Sequence, residues 1–506
     1  MEWLNKVADE ATARKPDGEI IIESGISPSG AYHMGYLREI ITCDAIVNKL
    51  KNRGRQAKHI HFVDDLDGFR KVPADLPDSY EKYLGQPLAD MPAPDSSGLT
   101  YADYALKDFL ASIQQLGVEM DVIRSHQKYR EGFFVPAIER ALQESDKVRN
   151  ILETISGHKL GEEWSPIQVN EEGYLKKRRF ISIDKTAKTV TYEDRDGKAQ
   201  SISYAKGDVK LDWRIDWPAR WWLVDVDVEP FGRDHATKGG SYDTGVALME
   251  QVFNAPAPIP VPYNFINQAG QSKKISASAG GGLAIADAVA VLPPEVIRFF
   301  ILRFPPDKSL SFDPVAGVTR LIDEFAETLQ KKPDDPLIKA SLAGITQPVV
   351  SSVPFSLLAE SYQAALRDPR KTLEIISRTE YKEAASLEAG TIKKELNFID
   401  GWLNKWAPDD AKFELAKAVD SGKFSDSEKN YLARLADKIE KLPADADGEV
   451  LHKTVYSFKE SDGFTPQQLF GPLYRALISK TNGPRAGWFL SMLRRDWLIK
   501  RLRMQA

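Results

Sequence analysis

The chain has 506 residues, enough for about three or four domains, and 42% of them are hydrophobic, which suffices for ordinary buried cores. Lys and Arg number 68 against 73 Asp and Glu, so the net charge of −5 does not by itself indicate a nucleic-acid partner. We find no stretch of about 18 apolar residues that would predict a membrane span, and the charged N-terminus lacks the apolar core of a secretory signal. The single cysteine, Cys43, excludes internal disulfides and cysteine-rich zinc sites, and a cytoplasmic location is expected.

The first strong pattern is IIIESGISPSGAYHMGYLREIITCDAIVNKL at residues 20–50, which predicts a strand, a turn and a helix. Gly30, His33 and Gly35 lie at the turn. Such junctions bind phosphates in α/β sheets, because the N–H groups of the helix start face the ligand and glycine lets the backbone approach it. A phosphate-binding histidine is therefore one interpretation, and a histidine that only caps the helix is the other.

A second apolar segment, HIHFV at 59–63, completes a strand–helix–strand unit typical of a parallel sheet. Asp64, Asp65 and Asp67 follow it, at the end of the strand where such sheets bind ligands. These carboxylates are candidates to hold Mg²⁺ or a substrate ammonium group.

Beyond this unit the composition and the pattern of apolar residues change. Residues 73–98 are rich in Pro, Asp and Ser and predict a long loop, and residues 165–210 alternate apolar and polar residues around an Asp196-Gly197 turn, which predicts a small β meander. Past about residue 320, strand patterns end and helical periodicity runs to the C-terminus. The sequence thus predicts an α/β part followed by an all-helical part.

Aromatic residues cluster at Trp213, Trp217, Trp221 and Trp222, with Tyr263 further on. Aromatic faces beside carboxylates suit a cationic, partly aliphatic ligand. Tryptophans spaced four apart are equally typical of a helix packed into a core.

The segment FGRDHATKGGSYDTG at 231–245 offers Asp234 as an acceptor for a ribose hydroxyl, and Gly239 and Gly240 for close backbone approach. A satisfied surface Asp-His pair is the alternative. No serine lies in a nucleophile-elbow context, and His235 has no partners at zinc-ligand spacing.

The segment GQSKKISASAGGGLAIAD at 270–287 combines two lysines, two serines and three glycines. Lysines neutralise the charge of a pyrophosphate leaving group, while hydroxyl and N–H groups donate to its oxygens. A flexible surface loop is the alternative. Basic residues at the C-terminus allow two interpretations as well, a solvated helical face or a surface that contacts phosphates.

Together these segments resemble class I aminoacyl-tRNA synthetases. Residues 33–36 resemble the HIGH motif and residues 274–278 the KMSKS motif, while five longer blocks resemble the class I lysyl-tRNA synthetases: SGISPSGAYHMGYLRE, FVDDLDGFRKVP, KLDWRIDWPARW, VEPFGRDHATKGGSYDTG and NGPRAGWFLSML. The resemblance implies a Rossmann-type catalytic domain at 1–75 and 205–320, a connecting insertion at 76–204 with helices and the β meander, and an α-helical anticodon-binding domain at 321–506.

The resemblance also implies a reaction, in which lysine and ATP form lysyl-adenylate, and the lysyl group passes to tRNA(Lys). Mg²⁺ would accompany ATP, and a monomer is favoured. The residues implied for catalysis are His33, Lys274, Ser276 and Ser278. Those implied for ATP are Gly30, His33, Gly35, Tyr36, Asp234, Gly239, Gly240, Lys273 and Lys274. Those implied for lysine are Gly25, Ser27, Asp64, Asp65, Trp213, His235 and Tyr263, and those for tRNA are Arg485, Arg494 and Arg495.

The chain departs from the family pattern in two places. Ala277 and Ala279 stand where the KMSKS motif commonly has lysines, so Lys273 and Lys274 would carry more of the charge. The 165–210 insertion lacks the paired cysteines that many relatives use for zinc, so no structural zinc is expected. An active lysine–tRNA ligase is the main hypothesis; a non-catalytic tRNA-binding paralogue and another adenylyltransferase on the same scaffold are the alternatives.

Overall fold

The computed structural model describes residues 1–74, 76–269, 283–443 and 446–505. The chain divides into two compact units. The first contains residues 1–289, 297–312 and 339–345, and the second contains residues 290–296, 313–338 and 346–506.

The strands among the described residues of the first unit are β1 Ile20–Ile26, β2 Ala57–Val63, β3 Asp121–Arg124, β4 Ile167–Glu171, β5 Tyr174–Lys177, β6 Arg179–Asp184, β7 Thr189–Glu193, β8 Ala199–Ser203, β9 Val209–Leu211, β10 Val228–Gly232, β11 Ile259–Tyr263, β12 Ile266–Gln268 and β13 Leu310–Phe312. Its helices are α1 Glu2–Arg14, α2 Leu37–Lys51, α3 Tyr101–Gln115, α4 Ser125–Arg130, α5 Val135–Gln143, α6 Ser145–Ser156, α7 Trp213–Val224 and α8 Ser241–Leu248. Three helices have residues in both units: α9 Ile285–Val291, α10 Pro294–Leu302 and α12 Pro336–Ser341. The helices of the second unit are α11 Gly317–Lys331, α13 Phe355–Ala364, α14 Pro369–Ile376, α15 Lys382–Leu387, α16 Ala389–Lys405, α17 Asp426–Glu440, α18 Gly448–Asp462, α19 Pro466–Ile478, α20 Ala486–Met492 and α21 Arg495–Leu502.

The centre of the first unit is a five-stranded parallel sheet in the order β11-β10-β1-β2-β3. β1 and β2 are almost entirely buried, as their apolar runs predict for strands covered on both faces. The predicted strand–helix–strand unit is confirmed. β2 follows β1 in the chain and pairs with one edge of it, whereas β10 comes much later in the chain and pairs with the other edge. A topological switch point therefore lies between β1 and β10.

The predicted β meander is also present, and it forms two antiparallel sheets, β5-β4-β9 and β6-β7-β8. The Asp196-Gly197 turn joins β7 to β8; Gly197 has φ +73°, and the Asp194 carboxylate accepts hydrogen bonds from the amides of Asp196 and Lys198 at 2.9 and 3.0 Å. In the described part of the predicted loop at 73–98, Asp78–Tyr83 forms a 3₁₀ helix, and apolar side chains of the loop pack with Phe69 and Tyr101.

In the second unit the described elements are all helices, which confirms the sequence prediction for this part. Apolar residues of α17 to α21 share one buried cluster. Two of these helices begin with capping boxes, in which Ser425 and Thr465 accept from the amides of Glu428 and Gln468 at 3.3 Å. No helix in the described ranges is long and apolar enough to cross a membrane.

These caps lead to a first prediction. We expect Ser425→Ala and Thr465→Ala each to lower the free energy of unfolding by about 1 kcal/mol, because each change leaves N–H groups at the helix start without an acceptor. Chemical denaturation of the full chain measures the loss. Ser461→Ala, which removes an exposed hydroxyl at the end of α18, is the control and should change the value by less than about 0.5 kcal/mol. Equal losses in all three variants would contradict the prediction.

Candidate active site

The carboxyl ends of β1, β10 and β11 meet at the switch point of the parallel sheet. They bring together residues predicted for lysine and for ATP: Gly25 near the end of β1, Asp234 and His235 just after β10, and Tyr263 at the end of β11. Ligands bind at such points because the chain diverges there and leaves a crevice.

His33 lies in the turn between β1 and α2. Its Nδ1 accepts a hydrogen bond from the amide of Gly35 at 3.1 Å, and its ring stacks on Tyr36 with 4.4 Å between ring centres. Because Nδ1 is the acceptor, the neutral imidazole carries its proton on Nε2. A Cβ at Gly35 would lie 2.7 Å from the His33 ring, so only glycine permits this conformation. The turn thus holds a histidine with one defined donor nitrogen.

The turn that contains His33 also forms hydrogen bonds with a segment that is distant in sequence. Met34 donates its amide hydrogen to the carbonyl of Leu283 at 2.8 Å, and His33 forms a single β-bridge with Ala284. Gly30 lines an adjacent cavity of about 200 Å³ with Tyr32 and residues of α3.

Glu39, in the first turn of α2, is a residue that sequence analysis missed. Its carboxylate accepts from the amide of Gly25 at 3.0 Å and from the Tyr263 hydroxyl at 2.6 Å, so it joins two of the predicted lysine-binding residues. Burial removes water from the Glu39 carboxyl and raises its pKa to about 7, although the hydrogen bonds from Tyr263 and Gly25 act in the opposite direction. The sequence signal that could have indicated Glu39 is its place in the first helical turn after the predicted strand and turn, where ligands bind in such sheets.

Two further acids near Glu39 are fully buried: Glu23 on β1 and Glu229 on β10. Burial raises the pKa of both carboxyl groups well above the usual range, because it disfavours the charged form. Trp217 donates to Glu229 at 2.7 Å. Glu39, in contrast to these two acids, is partly exposed.

Trp213 and His235 lie side by side, with 5.5 Å between their ring centres, and the ring centre of Trp217 lies 5.6 Å from that of His235. Trp213 and Trp217 belong to α7, which starts at the N-cap Asp212. Trp221 is buried in the core, as the packing interpretation predicts, whereas Trp213 is partly exposed, and its role beside a ligand stays a prediction.

The two predicted carboxylate partners of lysine are already paired within the chain. Asp65 is buried. Its Oδ2 accepts from Arg124 Nε at 2.5 Å and pairs with His126 Nδ1 at 2.6 Å, and its Oδ1 accepts from the amide of His126 at 2.8 Å. Burial opposes ionisation, yet the hydrogen bonds from His126 and the charge of Arg124 lower the pKa of Asp65 below its usual value. Asp64 pairs with Arg220, and burial raises its pKa to about 6.

The remaining predicted residues are placed as follows. Ser27 is partly exposed just after β1. Gly239, with φ +75°, donates its amide hydrogen to Asp243 at 2.8 Å, and a Cβ there would lie 2.5 Å from the carbonyl oxygen of Ile155. A Cβ at Gly240 would lie 2.6 Å from the Thr237 carbonyl. Lys273, Lys274, Ser276 and Ser278 lie outside the described residues.

The predicted tRNA-binding arginines belong to the second unit. Arg485 is exposed at the start of α20, and Arg494 is exposed and pairs with Asp496 at 3.0 Å. Arg495 donates to the carbonyls of Leu442 and Pro443 at 2.9 and 2.6 Å, so part of its hydrogen-bonding capacity is used inside the chain.

Among the residues that the structure describes, no three His, Cys, Asp or Glu side chains come together as metal ligands. A fold without zinc stays a prediction.

Comparison with known proteins identifies the family. A family model described as tRNA synthetases class I (K) matches residues 1–343, and one described as anticodon binding domain matches residues 402–506. Proteins named lysine–tRNA ligase are similar along their whole length. The one from Archaeoglobus fulgidus is 36% identical over 99% of both chains. The Methanosarcina acetivorans protein is 33% identical over 99% of this chain and 98% of its own, and the Pyrococcus horikoshii protein is 30% identical over all of both. The matched domains agree with a parallel α/β sheet followed by helices, and the chain belongs to the class I tRNA synthetases.

Proposed function

We propose that the protein is a lysine–tRNA ligase that works with ATP and Mg²⁺ on tRNA(Lys). A carboxylate oxygen of lysine attacks the α-phosphorus of ATP, the bond to the β-phosphate oxygen breaks, and pyrophosphate leaves. The 3′-terminal adenosine of tRNA then attacks the lysyl carbonyl through a hydroxyl, and AMP leaves. Support comes from relatives that carry this name and match the whole chain, and from the anticodon-domain match at 402–506. The cytoplasm, where translation takes place, is the proposed location, and a monomer the proposed state.

The observation that carries the choice of lysine is the carboxylate of Glu39 at the switch point. A partly exposed acid fixed by Gly25 and Tyr263 can hold an ammonium group, and the Trp213 and His235 rings can cover the aliphatic chain beside it. Asp64 and Asp65 are less suitable, because each already pairs with an arginine. We therefore assign the ammonium to Glu39.

The proposed ATP site lies at the His33 turn. The Nε2 proton of His33 would donate to phosphate oxygens, Gly35 and Tyr36 would lie against the nucleoside, and exposed Asp234 would accept from ribose. Lys273, Lys274, Ser276 and Ser278 are proposed to contact the pyrophosphate, and Mg²⁺ would arrive with ATP. Positioning and charge stabilisation supply most of the catalysis in such a transfer.

Aminoacylation of total tRNA with labelled lysine and Mg-ATP tests the proposal, with the other amino acids as controls. Lysine-specific charging is the expected result, and it would show that Lys273 and Lys274 suffice without a lysine at position 277. If tRNA binds but no amino acid is charged, the ligase assignment is wrong and the non-catalytic paralogue takes its place. Ala277→Lys would then show whether the missing charge is the reason.

A further inference from the structure

Arg38 is a buried arginine beside the candidate lysine pocket. It stands directly before Glu39 in the first turn of α2 and is only 1% exposed. Its guanidinium donates to four backbone carbonyls of residues 301–308, those of Ile301, Pro305, Pro306 and Lys308, the last three at 2.7, 3.3 and 3.2 Å. We call residues 301–308 the proline segment. An arginine can reach several carbonyls at once, because its five N–H donors point in fixed directions. Arg38 therefore holds the proline segment against the start of α2.

The burial of this charge is costly for the fold. Burial lowers the pKa of Arg38 to about 10, because it disfavours the charged form, and the charge of Asp307 offsets this only in part. The four acceptors are neutral carbonyl oxygens, which compensate a buried cation less well than a carboxylate does. A small net gain in stability points to the position of the proline segment as the role of Arg38.

The proline segment also holds the residue that follows Tyr263. The amide of Asn264 donates to the carbonyl of Pro306 at 2.8 Å, and the side-chain amide of Asn264 donates to the carbonyl of Asp307. The Pro306 carbonyl thus accepts from Asn264 on one side and from Arg38 on the other, which its two lone pairs allow. The start of α2 and the end of β11 are joined through one carbonyl group.

These contacts close on the candidate site. Tyr263 precedes Asn264 and donates its hydroxyl to Glu39 at 2.6 Å, and Glu39 follows Arg38 in the chain. We call the closed path through Arg38, Pro306, Asn264, Tyr263 and Glu39 the Arg38 clamp. A hydroxyl hydrogen bond weakens when its length or angle departs from the preferred range, so a shift of the β11 end would loosen the bond to Glu39.

The backbone connects the same segments a second time. β12 pairs with β13, and the carbonyl of Phe265 accepts from the amide of Leu310 at 3.1 Å. The side chain of Asn264 is partly exposed, so its replacement leaves this pairing in place. A variant at Asn264 can therefore change the position of Tyr263 without unfolding the chain.

We propose that Arg38 and Asn264 are positioning residues for lysine binding, which hold Tyr263 through the proline segment so that its hydroxyl donates to Glu39. The inference rests on the proposed function for the identity of the ligand. Neither residue is assigned a contact with lysine, since each acts through Tyr263 and Glu39. A carboxylate already held in one orientation binds an ammonium group without paying the entropy of becoming ordered.

The test measures the dissociation constants of the full chain for lysine and for Mg-ATP by isothermal titration calorimetry. We expect Asn264→Ala to weaken lysine binding by about 5-fold, the usual scale for one lost hydrogen bond, and to leave Mg-ATP binding within about twofold. Asn48→Ala is the matched control, because the Asn48 side chain also donates to a backbone carbonyl, that of Asp44 at 2.9 Å on α2. It should leave both constants within about twofold. Thermal melting shows whether each variant is folded.

Coupling to Tyr263 separates positioning from a merely structural role. Tyr263→Phe removes the hydroxyl on which the proposal depends, and it should weaken lysine binding by itself. If Asn264 acts through that hydroxyl, the double variant binds lysine within about twofold of Tyr263→Phe alone, because the two losses are not additive. Additive losses, or unchanged lysine binding in Asn264→Ala, would overturn the inference.

Arg38→Lys tests the other end of the clamp. Lysine keeps the charge, but its single nitrogen cannot span the four carbonyls, so lysine binding should weaken by about 5-fold or more while Mg-ATP binding is retained. A folded Arg38→Lys variant that binds lysine as wild type does would overturn the role of Arg38. If this variant does not fold, the Asn264→Ala and Tyr263→Phe results decide.

Failure of the proposed function gives a different result. If the wild-type chain binds lysine with the expected coupling but does not charge tRNA, the clamp assignment stands and the ligase assignment is wrong. If the wild-type chain charges lysine but Asn264→Ala binds and charges normally, only the clamp assignment is wrong. If the wild-type chain does not bind lysine, both are wrong.

Discussion

Alanine in place of His33 is expected to slow lysyl-adenylate formation by about 10²-fold or more, the usual loss when a preorganised donor to a developing charge is removed. The reason is the defined state of the ring: Nδ1 accepts from Gly35, so Nε2 carries the proton, and stacking on Tyr36 limits how the imidazole turns. Single-turnover adenylate formation from lysine and Mg-ATP, with tRNA present, measures the rate.

Two variants control this result. His33→Gln keeps an N–H donor at similar reach and should lose less activity than His33→Ala. His158→Ala removes an exposed imidazole just after α6 and should leave the rate unchanged. An unchanged rate in His33→Ala, with the same melting temperature as wild type, would exclude His33 from the phosphate site.

Glutamine in place of Glu39 is expected to lower kcat/KM for lysine by about 10²-fold or more, mainly through KM. Removing one partner of a desolvated ion pair costs about 2–5 kcal/mol. Glutamine keeps an acceptor for Gly25 or Tyr263, so the loss reports the missing charge more than a rearranged pocket. Steady-state charging of tRNA over a range of lysine concentrations measures it.

The same assignment predicts a pH dependence. The pKa of Glu39 is raised to about 7, so the carboxyl is neutral below that pH and ionised above it. The lysine ammonium remains charged up to about pH 10, so kcat/KM for lysine should rise as the pH increases through about 7. The rise should be absent in Glu39→Gln. A profile that is the same in wild type and variant would contradict the assignment.

Asp65→Asn is the matched control for Glu39→Gln, since each change replaces one acid by its amide. Asp65 holds Arg124 and His126 inside the chain, so its loss should lower the melting temperature while leaving KM for lysine within about twofold. A selective rise of KM for lysine in Asp65→Asn would instead place the ammonium at Asp65.

Much of the fold could be predicted from local patterns. The apolar runs of β1 and β2, the turn at His33 and the alternation around Asp196-Gly197 each concern residues that are close in sequence, and period and turn chemistry are local properties. The class of the chain followed from long sequence blocks, which the matched family domain at 1–343 confirms.

The site was less predictable where it depends on residues distant in sequence. Glu39 stands out only because Tyr263, 224 positions later, donates to it. Asp64 and Asp65 have similar surroundings in the sequence, but Arg220, 156 positions away, pairs with one, and Arg124, 59 positions away, with the other. No periodicity encodes such pairs, because they form only when helices and strands that are distant in sequence pack together.

The sequence by itself therefore determined the family, the α/β and helical parts, and the strand–turn–helix that carries His33. Only the tertiary structure decided which carboxylates already pair with arginines, and that the Glu39 carboxylate lies against Gly25 and Tyr263. The physical reason is that helices and strands form from neighbouring residues, whereas burial and charge pairing depend on which distant segments pack together.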